Sequence, residues 1–197
     1  CASTISTLRI LLNSEKESCD SGFIDTSGKL GRYLMDHVSI SKFFSIPHLG
    51  KTSKKLFDQS SLSGAGSFFI PFGTQLPNSK DIDFLRGYGI WGAIDRLGIP
   101  SFLKREENES IGFLISHGEV LPRKENRVML SNQTDEWDIP VPHIEFEWSD
   151  NEYKMIKHMS NTMEKAIDSS GGKIKNLRSL LKIPLVNLLE NNSIALS

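Results

Sequence analysis

The sequence predicts an α+β fold, a largely antiparallel β-sheet of about six strands backed by helices. Two observations carry that reading. Short β-rich stretches follow one another between turn formers, and a long amphipathic helix comes after them rather than among them. Strands in succession followed by helices favour a segregated packing over the alternation that builds a parallel sheet.

The elements are read in chain order. In CASTISTLRILLNS, Ser3 or Thr4 can cap a helix whose Ile5, Leu8, Leu11 and Leu12 fall on one face. ESCDSGFIDTSG is a loop, and KLGRYLMDH reads as a helix of one to two turns that stops in Asp36-His37. VSISKFFSI alternates and is β-rich, and Pro47 ends it. The polar, Gly/Ser-rich stretch from Lys51 to Ser67 is a loop suited to closing over a cavity. SFFIPFG is the second strand, with Pro71 marking an edge or a bulge. DFLRGYGIWGAI, SIGFLISHGEVLP, NRVML and HIEFEW are the third to the sixth, and the last alternates strictly.

SDNEYKMIKHMSNTMEKAIDSSGG is the clearest helix. Ser149 caps it, Asp150 and Glu152 suit its positive end, and Gly171-Gly172 terminate it. Tyr153, Ile156, Met159, Met163 and Ile167 are expected on one face, as core rather than as a pliable binding stripe. Both ends of the sequence are apolar and read like cut edges, so the chain is expected to be the middle of something larger.

A chain of 197 residues suffices for one well-cored domain, with room for an appendage. The formal charge of −1 offers no bulk electrostatic case for nucleic acid or an anionic membrane as partner. Basic residues gather at Lys51, Lys54 and Lys55 and at Arg123, Lys124 and Arg127, both among turn formers, which reads as solvated loop faces. No apolar run approaches the roughly 20 residues of a spanning helix. Cys1 and Cys19 lack metal spacing, which leaves a reduced cytoplasmic setting as the default.

Gly87, Gly89 and Gly92 make a literal G-x-G-x-x-G. A dinucleotide fingerprint needs a hydrophobic strand before it and a helix opening at its third glycine. Arg86 precedes the motif, and Tyr88 and Trp91 crowd the supposed phosphate turn. A strand whose glycines let a flat ligand or another backbone approach is the better reading. His37, His48, His117, His143 and His158 show no metal spacing. Glu145 and Glu147 share a strand face and suit acid and base work, although a bare pair on an alternating strand more often faces solvent. His143 is a candidate pocket residue, with a satisfied structural histidine equally open. Asp36 and His37 are adjacent and point in different directions, so they cannot couple as in a triad. Asp36 is expected to fix backbone amides at a corner, with His37 packed or hydrogen-bonded beneath it.

Taken together, these segments resemble the glucose–methanol–choline (GMC) family of flavin oxidoreductases. CASTISTLRILLNS is similar to that family's A-G-x-x-x-T-x-x-L-L-x-S segment, with Ser3, Thr7, Leu11, Leu12 and Ser14 in place. GKLGRYLMDHV resembles its G-x-L/V-G-R-x-L-x-D-H element through Gly31, Arg32, Leu34, Asp36 and His37. SFFIPFG, FLRGYGIWG, the stretch from Asn126 to Glu152 and the following helix are similar, more loosely, to the substrate-domain strands in the same order. Ser3 stands where glycine is usual, and Leu8 replaces a frequent proline.

The resemblance implies residues 1–37 at the edge of a FAD-binding domain with its connecting corner, and residues 38–197 as a substrate-binding domain. It implies FAD as cofactor, touched here by Ser3 and Thr4, although the family's phosphate-binding fingerprint and catalytic histidine segment match nothing in this sequence. It implies oxidation of a CH–OH group of an alcohol, sugar or sterol by hydride transfer to the flavin, with no catalytic residue in this segment. Tyr88, Ile90, His143 and Glu145 are the expected substrate-pocket residues, a choice that a one-residue register shift would exchange for the opposite faces. Asp36 and His37 become a structural corner near the flavin. The expected partners are a small substrate and the remainder of the flavoenzyme, in the same or another chain. A free-standing non-catalytic module that binds an apolar ligand or partner is the alternative.

Overall fold

The computed structural model describes residues 3–17, 24–47, 67–73, 82–95 and 109–176. Among these the fold is α+β, with elements α1 (Thr4–Glu17), β1 (His37–Ile46), β2 (Ser67–Gly73), β3 (Gly87–Ile94), β4 (Ser110–Glu119), β5 (Arg127–Thr134), β6 (Pro140–Glu145), α2 (Asp150–Ser169) and β7 (Lys173–Ile174). The chain divides into two compact units, one of Cys1–His37 with Glu119–Glu152 and one of Val38–Gly118 with Tyr153–Ser197. The six expected strands therefore do not share one sheet: β5 and β6 form their own ribbon.

The second unit is a five-stranded sheet in the order β2-β3-β4-β1-β7. β2 lies at one edge, where Pro71 leaves no interior ladder short of a donor. β3 pairs antiparallel with both β2 and β4. The glycines of β3 serve packing within the sheet rather than a ligand. A Cβ on Gly89 would stand 2.4 Å from the Phe69 ring, and one on Gly87 would stand 2.4 Å from the Phe72 carbonyl oxygen. Helix α2 covers the sheet, and a Cβ on Gly118 of β4 would collide with Met155 and Met159. Val38, Phe44, Ile46, Ile90 and Leu114 supply the apolar face of the sheet.

Met155, Met159, Met163 and Ile167 are each at most 1% exposed. Tyr153, expected on this face, is 58% exposed, and Ile156 is half-buried. The apolar series steps by four, and its origin is Met155; Tyr153 lies two residues, or about 200°, around the helix from it. Gly171, at φ 73°, ends the helix in a Schellman turn: its N–H donates to Asp168, and the Gly172 N–H donates to Ile167.

In the first unit, Ser3 caps α1, its Oγ accepting the Ser6 N–H at 3.4 Å. Helix α1 lies against β5 and β6. Arg9 anchors it, donating to Asp135 Oδ2 at 2.6 Å and to the carbonyls of Pro140 at 2.7 Å and Ile139 at 2.8 Å. The short helix expected over KLGRYLMDH is absent; those residues form turns and a single β-bridge from Arg32 to Arg127. Gly31 and Tyr33 adopt φ of 76° and 59°, and helical hydrogen bonding cannot run through such residues. Instead the segment adds itself to the ribbon: the Val128 N–H donates to Gly31 at 2.7 Å, and the Leu34 N–H donates to Asn126 at 2.9 Å.

Candidate functional site

Helix α1 and the Gly31–Met35 segment wall a groove of 590 Å³. Thr4, Thr7, Leu8 and Leu11 line one side at helical spacing, and Gly31, Arg32, Tyr33, Leu34 and Met35 line the other, with Val128 of β5 beneath. Only glycine fits at position 31, because a Cβ there would lie 2.2 Å from the Val128 carbonyl oxygen. Upstream, the Asp25 carboxylate ties the loop that feeds this wall. It accepts the Ser27 hydroxyl at 2.6 Å and the N–H groups of Ser27 and Leu30 at 2.9 and 2.7 Å. Those bonds, the Ser27 hydroxyl foremost, lower its pKa to about 2.

Arg32 also lines an adjoining pocket of 410 Å³, with Lys124, Glu125, Arg127 and Glu145. The Arg127 Nε donates to Glu145 Oε2 at 2.6 Å. That bond, with the Arg127 charge and the His143 imidazole 3.9 Å from the other oxygen, holds the Glu145 carboxyl below the usual range. Glu125 leans towards Arg123, 3.9 Å away.

The expected site residues are distributed as follows. Thr4 lines the groove, whereas the Ser3 hydroxyl is committed to the helix cap and to Ser6 Oγ at 3.1 Å. Glu145 lines the charged pocket, and the His143 side chain beside it is 55% exposed. Tyr88 and Ile90 belong to the other unit and are core residues, at 5% and 2% exposure. Tyr88 stacks on Phe72 with centroids 4.9 Å apart, and its hydroxyl meets His158 Nδ1 at 2.6 Å and Thr162 Oγ1 at 3.2 Å. Burial pushes the Tyr88 pKa up and the His158 pKa down, Lys165 adding to the latter and Asp83 opposing it. Tyr88 and Ile90 thus belong to one unit, and His143 and Glu145 to the other.

Asp36 does hold a corner amide, accepting the His37 N–H at 2.7 Å. His37 is not packed beneath it: its side chain is 70% exposed, and Nδ1 stands 3.7 Å from the carboxylate, beyond hydrogen-bond reach. The loop expected to close over a cavity, residues 51–66, lies outside the described residues; Ser67 opens β2. Arg32 was visible in the sequence only as a motif match. Its junction with the 124–127 turn comes from the β-bridge, which no local pattern announces.

Comparison with protein-family models gives no match, and comparison with curated proteins gives none either. Among the described residues, no cluster of three His, Cys, Asp or Glu side chains could hold a metal ion, and no helix is long and apolar enough to cross a membrane.

Proposed function

We propose that this chain is the substrate-binding portion of a FAD-dependent oxidoreductase of the GMC type, acting on the CH–OH group of an alcohol or sugar. One observation supports the reading above the others. The two segments with the most specific resemblance, CASTISTLRILLNS and GKLGRYLMDHV, supply Thr4, Thr7, Leu8 and Leu11 and Gly31–Met35, which wall a single groove. FAD, when bound, supplies the hydride acceptor of such a reaction.

The residues of the groove suit an edge of that cofactor. Thr4 and Thr7 offer hydroxyls, Arg32 offers a cation, and Leu8, Leu11, Leu34 and Met35 offer an apolar surface that excludes water from one side of a flat ring. On the substrate side, His143 and Glu145 are accessible and can hold a hydroxyl, Glu145 as an ionised acceptor. Tyr88 and Ile90 contribute by packing. A cytoplasmic setting and completion by further polypeptide belong to the same proposal.

The second reading, a non-catalytic module, is favoured by β2. Phe68, Phe69 and Ile70 are 40%, 66% and 42% exposed on that edge strand, the exposure expected of a docking element. Flavin content separates the two. The protein carrying this sequence, purified from its natural source, is expected to release FAD on heating and to reduce a dye acceptor in the presence of an alcohol. Leu11→Glu, with its helical CD signal intact, should lower flavin occupancy. Flavin-free protein that reduces no acceptor across an alcohol and sugar panel would overturn the oxidoreductase reading in favour of the module.

A further inference from the structure

The charged pocket beside the groove shares Arg32 and Glu145 with the flavin reading, which leaves Lys124, Glu125 and Arg127 without a role. Five charged side chains line it, three cations and two carboxylates. The carboxylates are already engaged: Glu145 by Arg127 at 2.6 Å, and Glu125 by Arg123 at 3.9 Å. The side chains of Arg32 and Lys124 have neither a carboxylate nor a carbonyl partner among the described residues. Arg32 is partly buried, and its backbone is held by the Gly31 bond to Val128 and the bridge to Arg127, which sets the side chain on the pocket wall. A guanidinium positioned at a concave wall without a carboxylate presents a preformed fork for a tetrahedral or planar oxyanion.

From this we infer that the pocket is a binding site for a phosphate monoester group, held by Arg32 and Lys124. The charge match selects the ligand: two unengaged cations balance a group carrying about −1.5 to −2 at neutral pH. Arg32 supplies the geometric fork and the exposed Lys124 a point charge on a flexible stem. Glu145 sets the limit of the site. Its carboxylate cancels Arg127, which keeps the field from becoming a general anion trap. Its Oε1, 3.9 Å from His143, remains able to accept a hydroxyl of the ligand's carbon skeleton. The inference rests on the charges lining the pocket; Arg32 and Glu145 are shared with the proposed function and Lys124 is not, so Lys124→Gln separates the two readings.

Calorimetric titration of the full chain tests it, with inorganic phosphate and glycerol 3-phosphate as probes and glycerol as the neutral control. Saturable binding of the phosphates and none of glycerol is expected. A tighter fit for glycerol 3-phosphate assigns the site to a phosphorylated organic molecule, and an equal or tighter fit for inorganic phosphate assigns it to the free ion. Arg32→Gln should weaken binding about tenfold or more, the scale of one charge-assisted hydrogen bond. Lys124→Gln, an exposed change with little consequence for folding, should weaken it several-fold. Glu145→Gln frees Arg127 and should tighten binding. Affinity should fall as pH drops through about 6, where the dianion gains a proton. Absence of saturable binding to both phosphates, or unaltered affinity in Lys124→Gln and Arg32→Gln, would overturn the proposal.

Discussion

The two units are held together by different physics. The sheet unit relies on apolar burial, with a stripe of three methionines and an isoleucine laid on a strand that has glycine where the helix crosses. The ribbon unit is tied by side chains to backbone: Arg9 on two carbonyls, Asp25 on two amides, and Asn126 on both polar groups of Glu147 at 3.0 and 3.1 Å. Hydrogen bonds fix direction where apolar contacts fix only proximity. Both hollows described above lie in the ribbon unit.

Substitutions can break this contrast. Met159→Asp places a charge at a site with no exposure and should cost on the order of 4 kcal/mol, unfolding the sheet unit. Ile156→Asp, on a half-buried position of the same helix, should cost about 1 kcal/mol. Equal losses of Tm in the two variants would mean that the burial face has been assigned wrongly. Gly31→Ala, with φ of 76° and a carbonyl 2.2 Å from the new Cβ, should cost about 3 kcal/mol. Amide exchange should then rise around Val128 while α2 stays protected. Arg9→Ala removes one ion pair and two carbonyl contacts and should cost about 2 kcal/mol, read by urea denaturation. No change would demote the anchor to ornament.

Acid provides the gentlest test. The His158 pKa is depressed in the folded state, so its contribution is complete above the ordinary value of 6.5 and is lost as pH falls through the lowered value. Asp135 and Glu145 are likewise depressed, from 3.8 and 4.5, and their contributions persist until pH drops below those values. On acidification, amides of α2 should therefore begin to exchange before those of the ribbon. The reverse order would contradict the scheme, and His158→Gln should erase the early phase.

Local pattern made much of this legible. SFFIPFG is β2 residue for residue, Pro71 marked its edge, and α2 begins and ends at the caps that Ser149 and Gly171 announced. Long-range pairing was not legible. Alternation in HIEFEW showed a strand without saying which sheet it joins, and that pairing depends on partners far away in sequence. KLGRYLMDH carries helix-forming residues, but the bonds from Val128 and Asn126 stabilise positive φ at Gly31 and Tyr33 against that propensity. The charged pocket was hidden for the same reason, since Arg32 and Lys124 meet only through a tertiary bridge.

The Glu152 carboxylate, fully buried, accepts the Leu121 N–H at 3.0 Å and the Ser149 N–H at 2.7 Å. Two backbone passages that leave and re-enter at either end of the ribbon thus meet on one side chain. In topological terms it is a drawstring: residues between 121 and 149 form a loop whose neck is closed without help from anything inside it. Lengthening a loop whose ends are already joined costs little, roughly 0.6 kcal/mol per doubling. The excursion between residues 121 and 149 can therefore be lengthened or trimmed at its far end while the helix that follows keeps its start.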